Sequence, residues 1–187
     1  MSAPEPTLAT LPVAIPVPSV GADSPAVIRA SAGPEFATVL ELRRRVFRDE
    51  QHIASAAVTD PDDERSLHAL AFLPVPSGDP RPVATGRLTL GYGDGGEALI
   101  AWVATLPEAR GRGAGLAVMQ FLLDAADKAM APIIVLSAQT HAEGFYRRLG
   151  FIPAGRPFVV RNIEHCWMAR PRRRETPPGR SSASLSW

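Results

Sequence analysis

The chain has 187 residues, of which 45% are hydrophobic, and its 20 basic and 19 acidic residues leave a net charge of +1. This size is enough for one domain with a sizeable core, and the balanced charge excludes the global basic field that would indicate nucleic-acid binding. The single cysteine, Cys166, excludes an intramolecular disulfide and argues against a cysteine-based metal site. We therefore predict no metal and expect Cys166 to be a buried free thiol.

The two ends of the chain differ in composition from its middle. Residues 1–25 contain six prolines and neither Lys nor Arg, which argues against a secretory signal and predicts a disordered arm. Residues 171–187 are rich in Arg, Ser and Pro, and we expect a disordered tail with a solvated basic cluster. No apolar run reaches the roughly 18 residues of a membrane helix. We expect a cytoplasmic protein with one domain over residues 26–170.

The first half of this domain predicts one helix followed by strands. A strand over 26–30 precedes a helix that begins at Pro34, with Arg43 among the charged residues on its outer faces. The apolar face of that helix comprises Phe36, Val39, Leu40, Val46 and Phe47. The acidic run 60–64 is expected to be a solvated loop. Further strands are predicted over residues 67–72, 83–90 and 98–105, the last two being joined by a glycine-rich turn.

The second half alternates helices and strands. A helix over 116–129 is expected to turn one side inward, comprising Leu116, Met119, Gln120, Leu123 and Ala126. A fifth strand over 133–137, a short helix over 142–149 and a final hairpin from Phe151 follow. Hairpins followed by a strand–helix–strand crossover predict a mixed α+β sheet rather than a doubly wound one.

The most informative stretch is the glycine-rich run between the strand over 98–105 and the following helix. Its residues Gly111, Gly113 and Gly115 leave backbone N–H groups accessible at a helix N-terminus, where the helix dipole attracts phosphate. Arg110 and Arg112 add guanidinium groups suited to phosphate oxygens. A helix-capping turn without a ligand is the alternative. The Gly-Lys-Ser/Thr ending of a Walker loop is missing, and the glycine spacing differs from that of the dinucleotide fingerprint.

The same run carries a family resemblance. Arg110, Gly113 and Gly115 match Arg-x-x-Gly-x-Gly, which resembles the coenzyme A pyrophosphate loop of the GNAT acetyltransferases. Residues 138–151 resemble a later GNAT motif, in which a short helix carrying Phe-Tyr ends in Leu-Gly-Phe. Matches within residues 42–51 and 165–170 are similar to the ElaA-like branch. The resemblance covers residues 26–170 and implies the GNAT fold, a mixed sheet of about six to seven strands flanked by helices, with splayed fourth and fifth strands.

The resemblance also implies an activity. We expect an N-acetyltransferase that uses acetyl-CoA and transfers the acyl group by direct attack of a small-molecule or peptide amine, and a homodimer is implied by family habit. Coenzyme A binding is assigned to Val103, Ala104, Thr105, Arg110, Gly111, Arg112, Gly113, Ala114, Gly115, Gln139 and Phe145.

Catalytic roles are assigned to Tyr146 and Glu50. Tyr146 is the predicted general acid for the departing thiolate, with core packing as the alternative role of its ring. Glu50 is the base candidate that we first expect, because it follows the family-like helix and is expected to line the acceptor pocket, and a water chain could replace a dedicated base. The other base candidates are Asp62, Asp63, His68, Glu97 and His165. The acceptor pocket is assigned to Phe47, Gln51, His68, Trp102, His141 and His165. His141 could instead only cap the short helix.

Two segments depart from the ElaA-like pattern. Ala101-Trp102 stands where that branch tends to have Gly-Arg, and Arg161 lies where it carries acidic residues, which would weaken attraction for a cationic acceptor. Two alternative functions therefore stay open. One is a non-catalytic acyl-CoA-binding regulatory module. The other is an acyl-homoserine lactone synthase-like acyltransferase, which residues 42–47 and the acidic loop also resemble, although the complete glycine loop favours coenzyme A.

Overall fold

The computed structural model describes residues 24–30, 33–53, 57–75 and 78–172. The predicted arm over 1–25, except for its last two residues, and the tail from residue 173 onward lie outside these residues. The described strands are β1 (Ala26–Ala30), β2 (Leu67–Leu73), β3 (Arg81–Thr89), β4 (Ala98–Thr105), β5 (Ile133–Gln139), β6 (Ile152–Pro153), β7 (Phe158–Val160) and β8 (Ile163–Pro171). The α-helices are α1 (Pro34–Arg43), α2 (Ala114–Lys128) and α3 (Glu143–Arg148).

The strands form one mixed sheet of eight strands in the order β1-β2-β3-β4-β5-β8-β6, with β7 paired to β8. All neighbouring strands are antiparallel except β4 and β5, which are parallel and are connected through α2. This arrangement confirms the predicted mixed α+β sheet. It has one strand more than the upper predicted number, because the segment after α3 forms three strands rather than one hairpin. Pro171, assigned to the tail, is the last residue of β8.

The fourth and fifth strands separate as predicted. Their register ends with the pair Ile100 and Leu136, although β4 continues to Thr105 and β5 to Gln139. A β-bulge adds to the separation, because the pairing of β4 with β3 shifts by one residue between Ala101 and Ala104. Within the bulge, Trp102 has a φ of 56°. The splay leaves a gap in the sheet that opens beside the N-terminus of α2.

Helix α2 packs against the strands β2, β3 and β4 through Val118, Met119, Leu122, Leu123 and Ala126, all of which are buried. Two residues predicted to face inward, Leu116 and Gln120, are instead exposed to solvent. Their positions are explained by the splay, because both residues lie beside the gap that it leaves next to the first turns of α2. At its N-terminal end, the buried face of α2 is therefore rotated by part of a turn from the face that was predicted.

Two expectations about charged residues are wrong for a single reason. Arg43, expected on an outer face of α1, is fully buried, and Asp63 of the acidic loop that was expected to be solvated is buried as well. Both Nη atoms of Arg43 donate to Asp63 at 2.9–3.1 Å, and the Nη1 of the buried Arg87 lies 2.7 Å from Asp60 and 3.2 Å from Asp63. A buried charge is tolerated when it is paired, and here opposite charges from α1, β3 and the loop are paired, while the Nε atoms of Arg43 and Arg87 have no partner among the described residues.

Three predictions about single residues, Cys166, Gly150 and Phe151, hold. Cys166 is buried and free, and Gly150 ends α3 with a φ of 88°, the left-handed conformation that glycine adopts without strain. Phe151 is buried in the core. No helix of the described part of the chain is long and apolar enough to span a membrane. Within that same part, no group of three or more His, Cys, Asp or Glu side chains is arranged to hold a metal ion.

Candidate active site

A cleft of about 1130 Å³ occupies the gap between β4 and β5. One end of the cleft lies at the turn from β4 into α2, where Gly111, Gly113, Ala114 and Gly115 line it. The other end reaches α3 and the beginning of β8. The cleft therefore runs from a helix N-terminus across the splayed sheet, as a long, thin ligand would require.

The helix N-terminus presents unpaired backbone donors. Gly113 precedes α2 with a φ of 83°, and its carbonyl accepts the first helical hydrogen bond from the N–H of Ala117 at 2.9 Å. In the described part of the chain, the N–H groups of residues 111–116 donate to no protein acceptor. The N–H of Arg110 is not part of this set, because it donates to the carbonyl of Pro107 at 3.2 Å. Six adjacent free donors at a helix N-terminus form a site for an anion.

The side chains around the loop limit its shape. An added Cβ at Gly115 would lie 2.9 Å from the Thr105 Oγ1, so only glycine fits there without movement. The guanidinium of Arg110 donates to the Thr105 carbonyl at 3.2 Å and to the Glu50 carboxylate at 2.7 Å. Glu50 is therefore the ion-pair partner of Arg110. It lines the cleft beside the glycine loop and not at the acceptor end.

Tyr146 lies on the wall of the cleft where α3 faces the sheet. Its ring contacts Phe145 and Phe151 in edge-to-face geometry, with centroids 5.1 and 6.1 Å apart. Burial raises the pKa of the Tyr146 phenol to about 12. The hydroxyl consequently stays protonated across the physiological range and is available as a donor. Both roles considered for Tyr146 are compatible with this position, since one side of the ring packs and the residue also faces the cleft.

A smaller chamber of about 310 Å³ adjoins the cleft on the other side of the splay. Its walls are largely aromatic and aliphatic, and include Phe47, Trp102 and Trp167. Phe47 and Trp102 contact each other edge to face, with centroids 5.3 Å apart. Asp60 and Arg87 bring the buried charge cluster to the wall of the chamber. The chamber could hold a compact molecule that reaches the cleft through the gap between β4 and β5.

The two cavities share a common wall. Among the described residues, those that line both are Phe47, Gln51, Ile100, Ala101, Trp102, Ser137, Gln139, Ile163 and His165. Gln51 donates through Nε2 to the Oε1 of Gln139 at 3.3 Å, which connects the segment after α1 with the end of β5. The shared wall marks where a ligand in the cleft would meet a ligand in the chamber.

Comparison with known proteins decides the family. The family model of the GNAT acetyltransferases matches residues 36–151, well over half of the chain. The chain belongs to the GNAT acetyltransferase family. It is similar to the crystal structure of an acyl-CoA N-acyltransferase from Pseudomonas aeruginosa, with 27% identity and a TM-score of 0.66 over 79% of this chain and 98% of the other.

Other relatives agree with this assignment. Escherichia coli ElaA is 25% identical, with a TM-score of 0.66 over 79% of this chain and 98% of ElaA, which agrees with the resemblance of residues 42–51 and 165–170 to the ElaA-like branch. The Bacillus subtilis protein YyaT, which is uncharacterized, is 28% identical over 145 residues, covering 76% of this chain and 93% of YyaT. The predicted GNAT membership and fold are confirmed.

The GNAT fold brings most of the predicted site residues together. Predicted residues that line the cleft are Phe47, Glu50, Gln51, Trp102, Val103, Thr105, Arg110, Gly111, Gly113, Ala114, Gly115, Gln139, His141, Phe145, Tyr146 and His165. Three others lie elsewhere. Ala104 is buried, Arg112 is exposed outside the cleft lining, and His68 is buried beside Arg43.

The assignment of His68 to the acceptor pocket is therefore corrected. Its Nε2 donates to the Asp63 carbonyl at 2.9 Å, and its Nδ1 lies 3.3 Å from the Arg43 Nη2. Burial is the main reason why the pKa of His68 is lowered, and the neighbouring Arg43 lowers it further. His68 is thus a neutral member of the buried charge cluster, and it lines neither cavity.

Some wall residues were not predicted, and sequence signals for them exist. Ser137 is the first polar residue of β5 and lies two positions before the predicted Gln139, and Ile163 and Trp167 alternate with the other residues of β8 on the same face as His165. Asp60 carries no comparable signal. Its place in the chamber follows from the buried pairing of the acidic loop with Arg87, which sequence periodicity does not reveal.

Proposed function

We propose that this protein is an N-acyltransferase that binds acetyl-CoA in the cleft and transfers the acetyl group to a compact primary amine in the chamber. The observation that carries the proposal is the set of free N–H groups over residues 111–116, at the mouth of a cleft that crosses a splayed sheet. Membership of the GNAT acetyltransferases supplies the reaction class. The location in the cytoplasm and the homodimer stay predictions.

The cofactor would lie along the cleft. The diphosphate of coenzyme A would accept hydrogen bonds from the free N–H groups at the start of α2, each charge-assisted bond being worth about 1.5–3 kcal/mol. The pantetheine arm would pair with the edge of β4 beyond Ile100, which is not bonded to β5. The thioester would then reach the wall that the cleft shares with the chamber.

The reaction requires a neutral amine, a thioester held in line and a donor for the departing sulfur. Tyr146 is placed to supply that donor. A phenol with a pKa of about 12 is a weaker acid than a thiol with a pKa of about 8.5, so complete proton transfer to the thiolate is unfavourable. We therefore propose that Tyr146 stabilises the developing thiolate chiefly by donating a hydrogen bond.

The test compares ligands by thermal unfolding of the full chain. Acetyl-CoA at about 100 times its Kd should stabilise the protein by about 2.7 kcal/mol, and S-adenosylmethionine should not. Release of the coenzyme A thiol in the presence of a panel of primary amines should follow. Stabilisation without thiol release from any amine would instead support the acyl-CoA-binding regulatory module. Stabilisation by S-adenosylmethionine would support a lactone synthase-like enzyme.

A further inference from the structure

The wall between cleft and chamber holds one ionisable side chain. Of the nine described residues that line both cavities, only His165 carries a basic side-chain nitrogen, which can accept a proton through a ring lone pair. Glu50 and Tyr146 line the cleft alone, and Asp60 lines the chamber alone. The amine in the chamber has to lose a proton as it attacks the thioester in the cleft. The base that takes this proton therefore has to lie between the two cavities.

The structure fixes which nitrogen of His165 carries the proton. Nδ1 lies 2.8 Å from the carbonyl oxygen of Ile163, two residues earlier in β8. A carbonyl oxygen can only accept, so the Nδ1 is the donor and the neutral ring carries its free lone pair on Nε2. In this tautomer the Ile163 carbonyl oxygen holds the Nδ1–H and orients the ring, so Nε2 can accept a proton.

The ring is also held in orientation by packing. Phe158 of β7 stacks on His165 with a centroid distance of 5.9 Å and an angle of 25° between the rings. The same Phe158 stacks on Trp167 at 6.0 Å. His165 lies opposite Gln139 in the register of β5 and β8. The imidazole is half-buried, fixed on one face by an aromatic ring and at Nδ1 by a backbone oxygen, and this leaves Nε2 as its available nitrogen.

We propose that His165 is the general base of this enzyme, an inference that rests on the proposed function. The amine nitrogen attacks the thioester carbonyl carbon, a C–N bond forms, and the carbonyl electron pair becomes an oxyanion. Nε2 of His165 takes one proton from the amine nitrogen. The oxyanion then collapses, the C–S bond breaks, and the thiolate leaves with the bonding pair to be protonated from solvent or stabilised by Tyr146. The imidazolium finally returns its proton to water.

Charged and titratable groups on the surrounding elements influence this step. In the chamber they are Asp60, Arg87 and Arg161, and in the cleft they are Glu50, Arg110, His141, Tyr146 and Arg148. Asp60 is paired with Arg87 and Glu50 with Arg110, each at 2.7 Å, so neither carboxylate is a free base. This assignment replaces Glu50, the first choice from the sequence, with a residue that was among its alternatives.

The experiment compares His165→Gln with wild type and with His52→Gln, a matched control at an exposed position outside both cavities. Initial rates of thiol release from acetyl-CoA are measured from pH 5 to 10, with the amine that the wild-type protein uses best among aromatic, aliphatic, polyamine and peptide amines. The same amine is used throughout, so any part of the pH–rate profile that comes from ionisation of the amine is common to all variants.

We expect His165→Gln to lower kcat by about 100-fold or more, with an unchanged KM for acetyl-CoA. The acidic limb of kcat/KM, which reports protonation of the essential base in the free enzyme, should be lost. His165→Ala should regain activity with added imidazole, which a purely structural role would not allow. His52→Gln should behave as wild type.

Two results overturn the assignment in distinguishable ways. If wild type releases thiol but His165→Gln keeps its acidic limb and kcat, the base assignment fails and the proposed function stands. If wild type binds acetyl-CoA but releases no thiol with any amine, the proposed function fails and the base assignment fails with it. A readout independent of turnover is the ¹⁵N spectrum of the histidines. The signals lost in His165→Gln should show a protonated Nδ1 and an unprotonated Nε2, and the reverse tautomer would contradict the assignment.

Discussion

Among single residues, Tyr146 offers the cleanest test, because its hydroxyl can be removed while the packing of its ring is kept. The ring of Tyr146 packs against Phe145 and Phe151, and Tyr146→Phe preserves those contacts. We expect acetyl-CoA to bind with unchanged affinity and kcat to fall by about 100-fold, because the departing thiolate loses its donor. Calorimetric titration gives the affinity, and thiol release at saturating amine gives kcat.

The matched control for this prediction is Tyr92→Phe. Tyr92 is the other tyrosine of the chain and is 44% exposed on the turn before β4. Its substitution should change neither quantity. An unaltered kcat for Tyr146→Phe, when chemistry is the slow step, would leave Tyr146 with packing alone, the alternative considered from the sequence.

At the scale of secondary-structure elements, the loop before α2 depends on how closely it approaches β4. Gly115→Ala places a Cβ 2.9 Å from the Thr105 Oγ1, so either Thr105 or the first turn of α2 must move. We expect the loss of one good N–H contact to phosphate, worth about 1.5–3 kcal/mol, which corresponds to a Kd for acetyl-CoA that is about 10- to 150-fold weaker. Calorimetric titration measures the change directly.

Gly144→Ala is the control for the loop substitution. Gly144 lies in α3, is exposed, and an added Cβ there has no neighbour within 4 Å. Alanine should favour the helix by up to about 1 kcal/mol and leave the Kd for acetyl-CoA unchanged. Equal affinities of Gly115→Ala and wild type would show that the loop does not hold the cofactor through its backbone.

At the scale of the whole molecule, what the sequence predicts follows from the range of the interactions. Strands, helices and the glycine loop are local, and their order was predictable from periodicity and motifs. Arg43 and Asp63 are 20 residues apart in the sequence. Taken singly, each charged residue is expected at the surface, so their buried pairing was not predictable. The assignment of His68 was wrong for the same reason, because its position on β2 directs its side chain into this buried cluster and not into the acceptor pocket. His165, in contrast, was predicted at the site, while its orientation required the register of β8.

The buried cluster gives the final prediction, which concerns stability against pH. Burial lowers the folded-state pKa of His68 below its usual value of 6.5, so the unfolded chain binds more protons just below pH 6.5. The free energy of unfolding therefore rises with pH in this window, and stability is lost as the pH falls below about 6.5, by at most about 1.36 kcal/mol per pH unit for one proton. Asp63 has a lowered pKa as well, and its stabilisation is lost only below the usual aspartate range.

His68→Gln should flatten the dependence between pH 5 and 7, because a glutamine amide can donate to the Asp63 carbonyl and accept from Arg43 without titrating. Urea unfolding at several pH values measures the slope, and His52→Gln, an exposed histidine, should keep the wild-type slope. If His68→Gln retained that slope as well, the acid sensitivity would come from other groups. A flattened slope would instead show that the cluster joining α1, β2 and β3 requires an uncharged imidazole. The wall of the acceptor chamber is built on the same cluster through Asp60 and Arg87, so acid would then weaken the scaffold of the site as well as any base within it.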